Sequence, residues 1–433
     1  MAGDVHALAR TLMRVAVVGG GWAGIAAAVH ATRAGHAVTL FEMAAQLGGR
    51  ARSVAAGGAR LDNGQHILIG AYVETLALMR TVGVDPQEVL ARQPLALVGP
   101  DGQGLRLRRG PAVPAFVAAV LRHRGWSWRE RAALLRHAAA WALAGFEADA
   151  ACTVERLCAA MPQRVRDELV APLCVAALNT PAPEASAQVF LRVLRDALFA
   201  GRGAADLLLP RAPLSEVLPA PALAWLQAHG SRVRLGHRVQ TLTAATAGWT
   251  VDGEDFDAVV LACTAHEAAR LARAVAPAWA AQTAAFEYQP IVTVYLDSAG
   301  TRLPQPMTAL PDGPDAPAQY LFDHGALGAC AGRFAAVVSG ARAWTQRGLE
   351  VTAEAVRQQL LDAFAPGTWR SPPLVRRVLA DKRATFACTP GLQRPATVLA
   401  PRLCAAGDYV AGPYPATLEG AVRAGKAAAA ALT

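Results

Sequence analysis

Arg14-Val15-Ala16-Val17-Val18-Gly19-Gly20-Gly21-Trp22-Ala23-Gly24 is the stretch whose reading decides the fold. The apolar run is rich in β-branched residues and fits a strand buried on both faces. It leads directly into Gly-x-Gly-x-x-Gly. Residues 25–34 read as a helix stopped by Gly35, and Ala37-Val38-Thr39-Leu40-Phe41 reads as a second strand ending on Glu42. Each part has a physical task in holding a dinucleotide. Gly19 permits the tight turn, Gly21 lets a pyrophosphate approach the backbone, and Gly24 lets helix and strand pack closely. Trp22 and Ala23 belong to the same turn. The helix N-terminus offers free N–H groups and a partial positive charge. Glu42 stands where a carboxylate can accept hydrogen bonds from a ribose. A glycine-rich turn between alanine-rich helices would be the bland alternative. The order strand, glycines, helix, strand, acid argues against it.

Gln46-Leu47-Gly48-Gly49-Arg50-Ala51-Arg52-Ser53 follows closely. Two glycines let this loop cross a cofactor, and Arg50 offers a planar cationic fork to a phosphate. Near the C-terminus, Leu403-Cys404-Ala405-Ala406-Gly407-Asp408 reads as a strand ending in Gly-Asp. A turn with Gly412, Pro413 and Pro415 follows, then a helix opening at Thr417-Leu418-Glu419-Gly420. Together these segments resemble the FAD-dependent amine oxidase and phytoene desaturase superfamily. Leu61-Asp62-Asn63-Gly64-Gln65-His66-Ile67-Leu68-Ile69-Gly70-Ala71-Tyr72 narrows the resemblance to the squalene-associated FAD-dependent desaturases, the hydroxysqualene dehydroxylases of bacterial hopanoid synthesis. Lys382-Arg383-Ala384-Thr385-Phe386-Ala387 agrees with it. The resemblance runs from about Arg14 to the end.

That resemblance implies an α/β fold: a Rossmann-type FAD-binding domain of the glutathione-reductase and amine-oxidase kind, with an inserted α+β substrate domain. The expected division is 14–70, 206–283 and 397–433 for the FAD-binding domain, 71–205 for a mostly helical cap and 284–396 for a substrate-domain sheet. It implies one non-covalent FAD. The implied contacts are Gly19, Gly21, Trp22, Ala23, Gly24, Glu42, Gly49, Arg50, Gly64, Gln65, the backbone of Val239 against the adenine, Gly407, Asp408, Thr417 and Leu418. The implied reaction reduces an allylic alcohol, hydroxysqualene, to squalene with loss of water. Hydroxide leaves poorly, so an acid is needed. His66, Asp62 and Tyr414 are the candidates. His66 can donate near neutral pH, or it can serve as scaffolding beneath the flavin. Asp62 can orient its own loop, and Tyr414 is held between two prolines. A carotenoid-type desaturase, or another flavoenzyme of the superfamily, is the alternative. A non-catalytic isoprenoid-binding protein of the same fold is the third reading. It has less need of Arg50 and Asp408.

Composition bounds these readings. The chain has 433 residues, 53% hydrophobic, enough for two domains. No run of 18 clean apolar residues exists, so no membrane span is expected. The formal net charge is +9, from 42 basic and 33 acidic residues. That fits a solvated face or attraction to anionic lipid. No basic stripe interleaved with aromatics favours nucleic acid. Arg122, Arg124, Arg129, Arg131 and Arg136 cluster in the cap. Seven scattered cysteines lack Cys-x-x-Cys spacing, and neither metal nor disulfide is expected. Residues 1–13 do not read as a signal peptide; Met13 is an alternative start. The expected location is the cytoplasm, at the inner face of the membrane where its substrate would lie. No second nucleotide fingerprint is visible, so the reductant is a separate partner.

Along the chain, residues 73–82 read as a helix. Leu95-Ala96-Leu97-Val98 and Gly104-Leu105-Arg106-Leu107 flank a hairpin turn. Residues 114–199 read as helices broken at Pro162, Pro172 and Pro183. Arg232-Val233-Arg234-Leu235 and residues 237–242 read as strands, and Trp249-Thr250-Val251 and residues 258–262 are expected to complete the sheet of the FAD-binding domain. Residues 291–296, 335–339 and 375–380 read as a second sheet, with a helix at 352–364.

Overall fold

The computed structural model describes residues 12–56, 58–199 and 201–432. The expectations placed on the first eleven residues lie outside that range. Strand β1 (Arg14–Val18), helix α1 (Trp22–Arg33) and strand β2 (Ala37–Glu42) form the first crossover unit. Val15 to Val18 are all buried because parallel neighbours flank β1 on both edges. Val15 pairs with Val38 of β2 and with Ala258 of β4 (Ala258–Leu261). β3 (Arg232–Leu235) extends the sheet beyond β2. The six-stranded order runs from β3 through β2, β1 and β4 to two strands near the C-terminus, Leu403–Ala405 and Val398–Ala400. The chain thus leaves this sheet and returns to it twice.

Two expected strands behave differently. Gly248–Val251 lies outside the parallel sheet, in an antiparallel ribbon with Leu242–Ala245 and Glu254–Phe256. The cause is local: Asp252 and Gly253 both take positive φ, 47° and 82°, and close a tight hairpin. Residues 237–241 are not strand at all. The amides of Gln240 and Thr241 donate to the Asp252 carboxylate rather than to a sheet neighbour.

The second sheet is antiparallel and five-stranded. Its members are β5 (Tyr288–Asp297), β6 (Met307–Ala309), β7 (Tyr320–Asp323), β8 (Arg333–Val338) and β9 (Leu374–Phe386), in the order β6, β7, β8, β5, β9. Alternation along β5 gives it two faces. Val292, Val294 and Leu296 pack with Val356 and Leu360 of the helix Leu349–Ala363. Ile291 and Tyr295 belong to a separate cluster on the other face.

Helices fill residues 112–199. Pro172 does not break them. The helical run is continuous from Gln163 to Leu178, and the missing N–H of Pro172 is accommodated beside a π-helical turn, Arg166–Val170, just before it. The final helix, Leu418–Ala430, lies against α1. A Cβ on Gly425 would come within 2.2 Å of the Ala23 carbonyl oxygen, so only glycine allows that approach.

Candidate active site

A cavity of about 620 Å³ opens between the two sheets. Its first wall is the glycine turn. Gly19 (φ 111°) and Gly24 have no room for side chains: added Cβ atoms would lie 2.6 Å from Ala262 O and 1.8 Å from Gly19 O. Gly21 is the opposite case. A Cβ there would meet nothing nearer than Gly49 Cα at 3.8 Å. No protein atom needs the absent side chain at Gly21, so its space is left for a ligand. Glu42 is buried, and its two carboxylate oxygens accept from the amides of Gly20 and Ala44, each at 2.7 Å. It therefore braces the turn as well as facing the cavity.

The second wall joins distant segments. Arg50 pairs with Asp408 at 2.7 Å and donates to the Ala384 carbonyl. Asn63 donates to the Arg50 carbonyl at 3.1 Å. Thr417 caps the final helix by accepting from Gly420 N at 3.0 Å, and its N-terminal residues Thr417 and Leu418 line the cavity. Of the fifteen positions expected to touch the cofactor, Gly24 alone is not among the lining residues. It packs beneath the turn. Val239 lines the far end, and its carbonyl accepts from Arg270 at 2.6 Å.

The loop after Leu61 is pinned from both sides. Asp62 accepts from Ser53 Oγ at 2.7 Å and from Leu214 N at 2.9 Å, and Tyr295 donates its hydroxyl to the Asp62 carbonyl at 2.9 Å. Burial pushes the Asp62 carboxyl above the usual range, against the pull of those hydrogen bonds. Asp62 does not line the cavity; it holds the loop. Gln65 lines it and meets His324 Nε2 at 3.0 Å. Burial pushes the His324 imidazole down to about 4.

His66 lines the cavity, with Nδ1 3.0 Å from the Gly64 carbonyl. A carbonyl only accepts, so Nδ1 carries a proton. Burial holds the ring below its ordinary range, ahead of the raising effect of that hydrogen bond. The neutral ring therefore has Nε2 as an acceptor, and it must take up a proton before it can give one.

Tyr414 stands outside the lining. Its hydroxyl meets Asp196 of the helix Ala187–Phe199. Its ring lies edge-on to Tyr72 at 6.3 Å and beneath the Arg423 guanidinium at 4.9 Å. Tyr72 lines the cavity in its place and bonds Thr417. Sequence reading did not single out Tyr72, Tyr288, Thr293, Tyr320 or Asn179. Tyr320, Val337, Thr293 and Leu379 stand side by side across four strands, all facing the cavity. A period-two pattern marks such positions as inward, but which strands adjoin is a property of the sheet alone. Asn179 carries a signal of another kind. At φ 47° it ends the helix Ala171–Leu178 and bonds Gln289 O and Thr385 Oγ1, tying that helix to β5 and β9.

Comparisons with known proteins match this picture. The family profile of flavin containing amine oxidoreductases matches residues 22–433. The hydroxysqualene dehydroxylase of Rhodopseudomonas palustris is 31% identical over 444 aligned residues, covering 96% of this chain and 97% of that protein. A probable zeta-carotene desaturase of Synechococcus elongatus is 42% identical, over only 72 residues, 16% of this chain and 15% of that one. Among solved structures, an oxidoreductase from Methanosarcina mazei superposes with a TM-score of 0.72 at 15% identity, covering 96% of this chain and 99% of that one. That likeness concerns the fold.

Proposed function

The chain belongs to the flavin containing amine oxidoreductase family, and on that premise we propose that it reduces hydroxysqualene to squalene with release of water. It is an FAD-dependent oxidoreductase. The observation that carries the substrate is the full-length likeness to a hydroxysqualene dehydroxylase, against a likeness to carotenoid desaturases confined to 16% of the chain. The cavity suits the cofactor: Gly21 leaves a space that no protein atom fills. We read 14–70, 206–283 and 397–433 as the FAD-binding domain, and 71–205 with 284–396 as the substrate domain.

FAD supplies the hydride when bound in its reduced form. The conversion breaks the allylic C–O bond, forms a C–H bond at the same carbon and releases the hydroxyl, with one proton, as water. Gly19, Gly21, Glu42 and Arg50 would hold and orient the dinucleotide. The N-terminus of the final helix, whose Thr417 and Leu418 line the cavity, would offer positive potential to a bound flavin. Ile67, Ile291, Phe322, Val337 and Leu379 give the substrate side apolar walls, which keep water from the reacting carbon. His66 is assigned the proton transfer, Nε2 facing the hydroxyl that leaves. Asp62 and Tyr295 fix its loop. A separate electron donor reduces the cofactor.

No helix among the described residues is long and apolar enough to cross a membrane. The substrate is a hydrocarbon-like lipid, and the chain carries +9. We place the enzyme at the cytoplasmic face of an anionic membrane, as a peripheral protein. The test of the reaction is a product assay with hydroxysqualene and phytoene side by side. Squalene from the first and no dehydrogenation of the second is expected. Dehydrogenation of phytoene with no squalene would transfer the reading to the desaturases.

A further inference from the structure

Residues 112–122 pose a packing problem that the reaction does not explain. The helix Ala112–Arg122, with sequence AVPAFVAAVLR, is apolar along nearly its whole length, yet only Ala119 and Val120 are buried. A helix apolar all round belongs in a core or against another apolar phase. Its surroundings are apolar as well. Leu121 is exposed, Trp128 at the start of the next helix is 70% exposed, and Leu143 at its end is 91% exposed. Phe199, half exposed, stacks edge-on against Phe146 at 5.1 Å.

Basic residues bracket this apolar helix. Arg122 and Arg124 follow it, both exposed. Arg109 precedes it and lines a second cavity of about 400 Å³ with Arg92, Arg202, Gly203 and Asp206. Hydrogen bonds cross the floor of that cavity. Arg92 is spent on Asp206 at 2.8 Å and on the Gly203 carbonyl at 2.9 Å. Gly70 N and Ala71 N donate to the carbonyls of Asp206 and Ala204. Arg109 and Arg202 face the same cavity without an acidic partner among the described residues. The apolar side chains stand close by in the chain: Val113 is four residues after Arg109, and Phe199 three before Arg202.

We propose that this cavity binds the phosphate of an anionic phospholipid through Arg109 and Arg202, while the helix Ala112–Arg122, with Trp128, lies in the bilayer interface. Two guanidiniums suit a phosphodiester through bidentate hydrogen bonds. A helix lying in the interface buries an apolar face a few ångströms deep and keeps its cations at headgroup level. Tryptophan prefers that same boundary. The geometry also connects docking to the active site. The cavity floor is hydrogen-bonded to Gly70 and Ala71, four and five residues beyond His66, so backbone hydrogen bonds join the docked face to the segment that follows the His66 loop. This inference rests on the peripheral-membrane reading given above.

The experiment uses the FAD-loaded enzyme and sedimenting vesicles of phosphatidylcholine, with or without phosphatidylglycerol. Wild type is expected to bind the anionic vesicles and to lose binding as salt rises. Arg109→Ala/Arg202→Ala should weaken that binding roughly thirtyfold, about fivefold for each basic residue removed from the surface. Arg232→Ala/Arg273→Ala, which removes equal charge elsewhere, should not. Trp128→Ser should weaken binding at every salt concentration. Flavin content reports that each variant is folded. Inorganic phosphate at millimolar concentration should compete poorly, since it lacks the acyl chains. If the two double variants lose binding equally, the cavity has no special part and the inference falls, with membrane association intact. If wild type binds neither kind of vesicle, the peripheral-membrane reading falls and takes the inference with it.

Discussion

Gly21 and Gly24 sit three residues apart in one turn and do opposite things. Gly24 is required by the protein itself, because a Cβ would overlap the Gly19 carbonyl at 1.8 Å. At Gly21 no protein atom fills the space, and the proposed function gives that space to the cofactor. Gly21→Val should therefore fold with a melting temperature close to that of apo wild type and retain no FAD, whereas Gly24→Val should fail to fold. Thermal unfolding and flavin content separate the two. A Gly21→Val protein that still carries FAD would show that the pyrophosphate lies elsewhere. His66 supports a prediction about pH. Burial keeps its folded-state pKa below the ordinary 6.5, so the ring is neutral at pH 7 and charged only in more acid solution. If it gives the proton, single-turnover reduction of substrate should accelerate as pH falls below 6.5. His66→Ala should abolish that acceleration and slow the step by roughly 10²–10⁴-fold with FAD retained. A rate that is flat across this range in wild type, with FAD lost from the variant, would make His66 scaffolding.

At the scale of elements, the final helix depends on one buried carboxylate. Glu419 is fully buried in its first turn. Its oxygens accept from Glu74 N at 3.1 Å, Thr75 N at 2.9 Å and Thr75 Oγ1 at 2.7 Å, and Arg423 Nε approaches at 2.7 Å. The first two donors are the opening amides of the helix Val73–Thr81, where a negative charge meets the positive end of the helix dipole. This contact locks the final helix, whose N-terminal residues line the cavity, to the helix that follows Tyr72. Glu419→Gln keeps the shape but brings an NH₂ group against N–H donors and leaves Arg423 unpaired. The expected loss is about 3–5 kcal/mol of stability, with weaker retention of FAD. Urea unfolding that differs from wild type by less than about 0.5 kcal/mol would place Glu419 among ordinary surface substitutions. The sequence singled out Thr417 and Leu418 but not Glu419, because its partners lie 344 positions away.

For the whole molecule, what was legible followed from distance along the chain. The nucleotide turn could be read because strand, glycines, helix and acid lie between Arg14 and Glu42, each limiting its neighbour. Cavity residues far from that turn could be read where separate segments carry the family's motifs, Arg50, Gly64, Gln65, Val239 and Asp408 among them. The pinning of the His66 loop by Tyr295 crosses 233 positions and left no local trace. Nor did the displacement of Tyr414 to Asp196, which depends on where a cap helix docks. The hairpin at Asp252 was misread for another reason. Trp249-Thr250-Val251 has the composition of any strand, and only the positive φ of Asp252 and Gly253 assigns it to a separate ribbon. These parts fit the proposed reaction, in which a lipid alcohol would meet a reduced flavin beside His66 in a cavity with apolar walls on its substrate side. The direct measurement is anaerobic: enzyme carrying FAD reduced with a deuteride donor is mixed with hydroxysqualene, and flavin absorbance and product are followed together. The account predicts recovery of the oxidised flavin band, formation of squalene, and deuterium at the carbon that lost its hydroxyl. A flavin that stays reduced in the presence of hydroxysqualene, while the oxidised enzyme dehydrogenates phytoene, would contradict it.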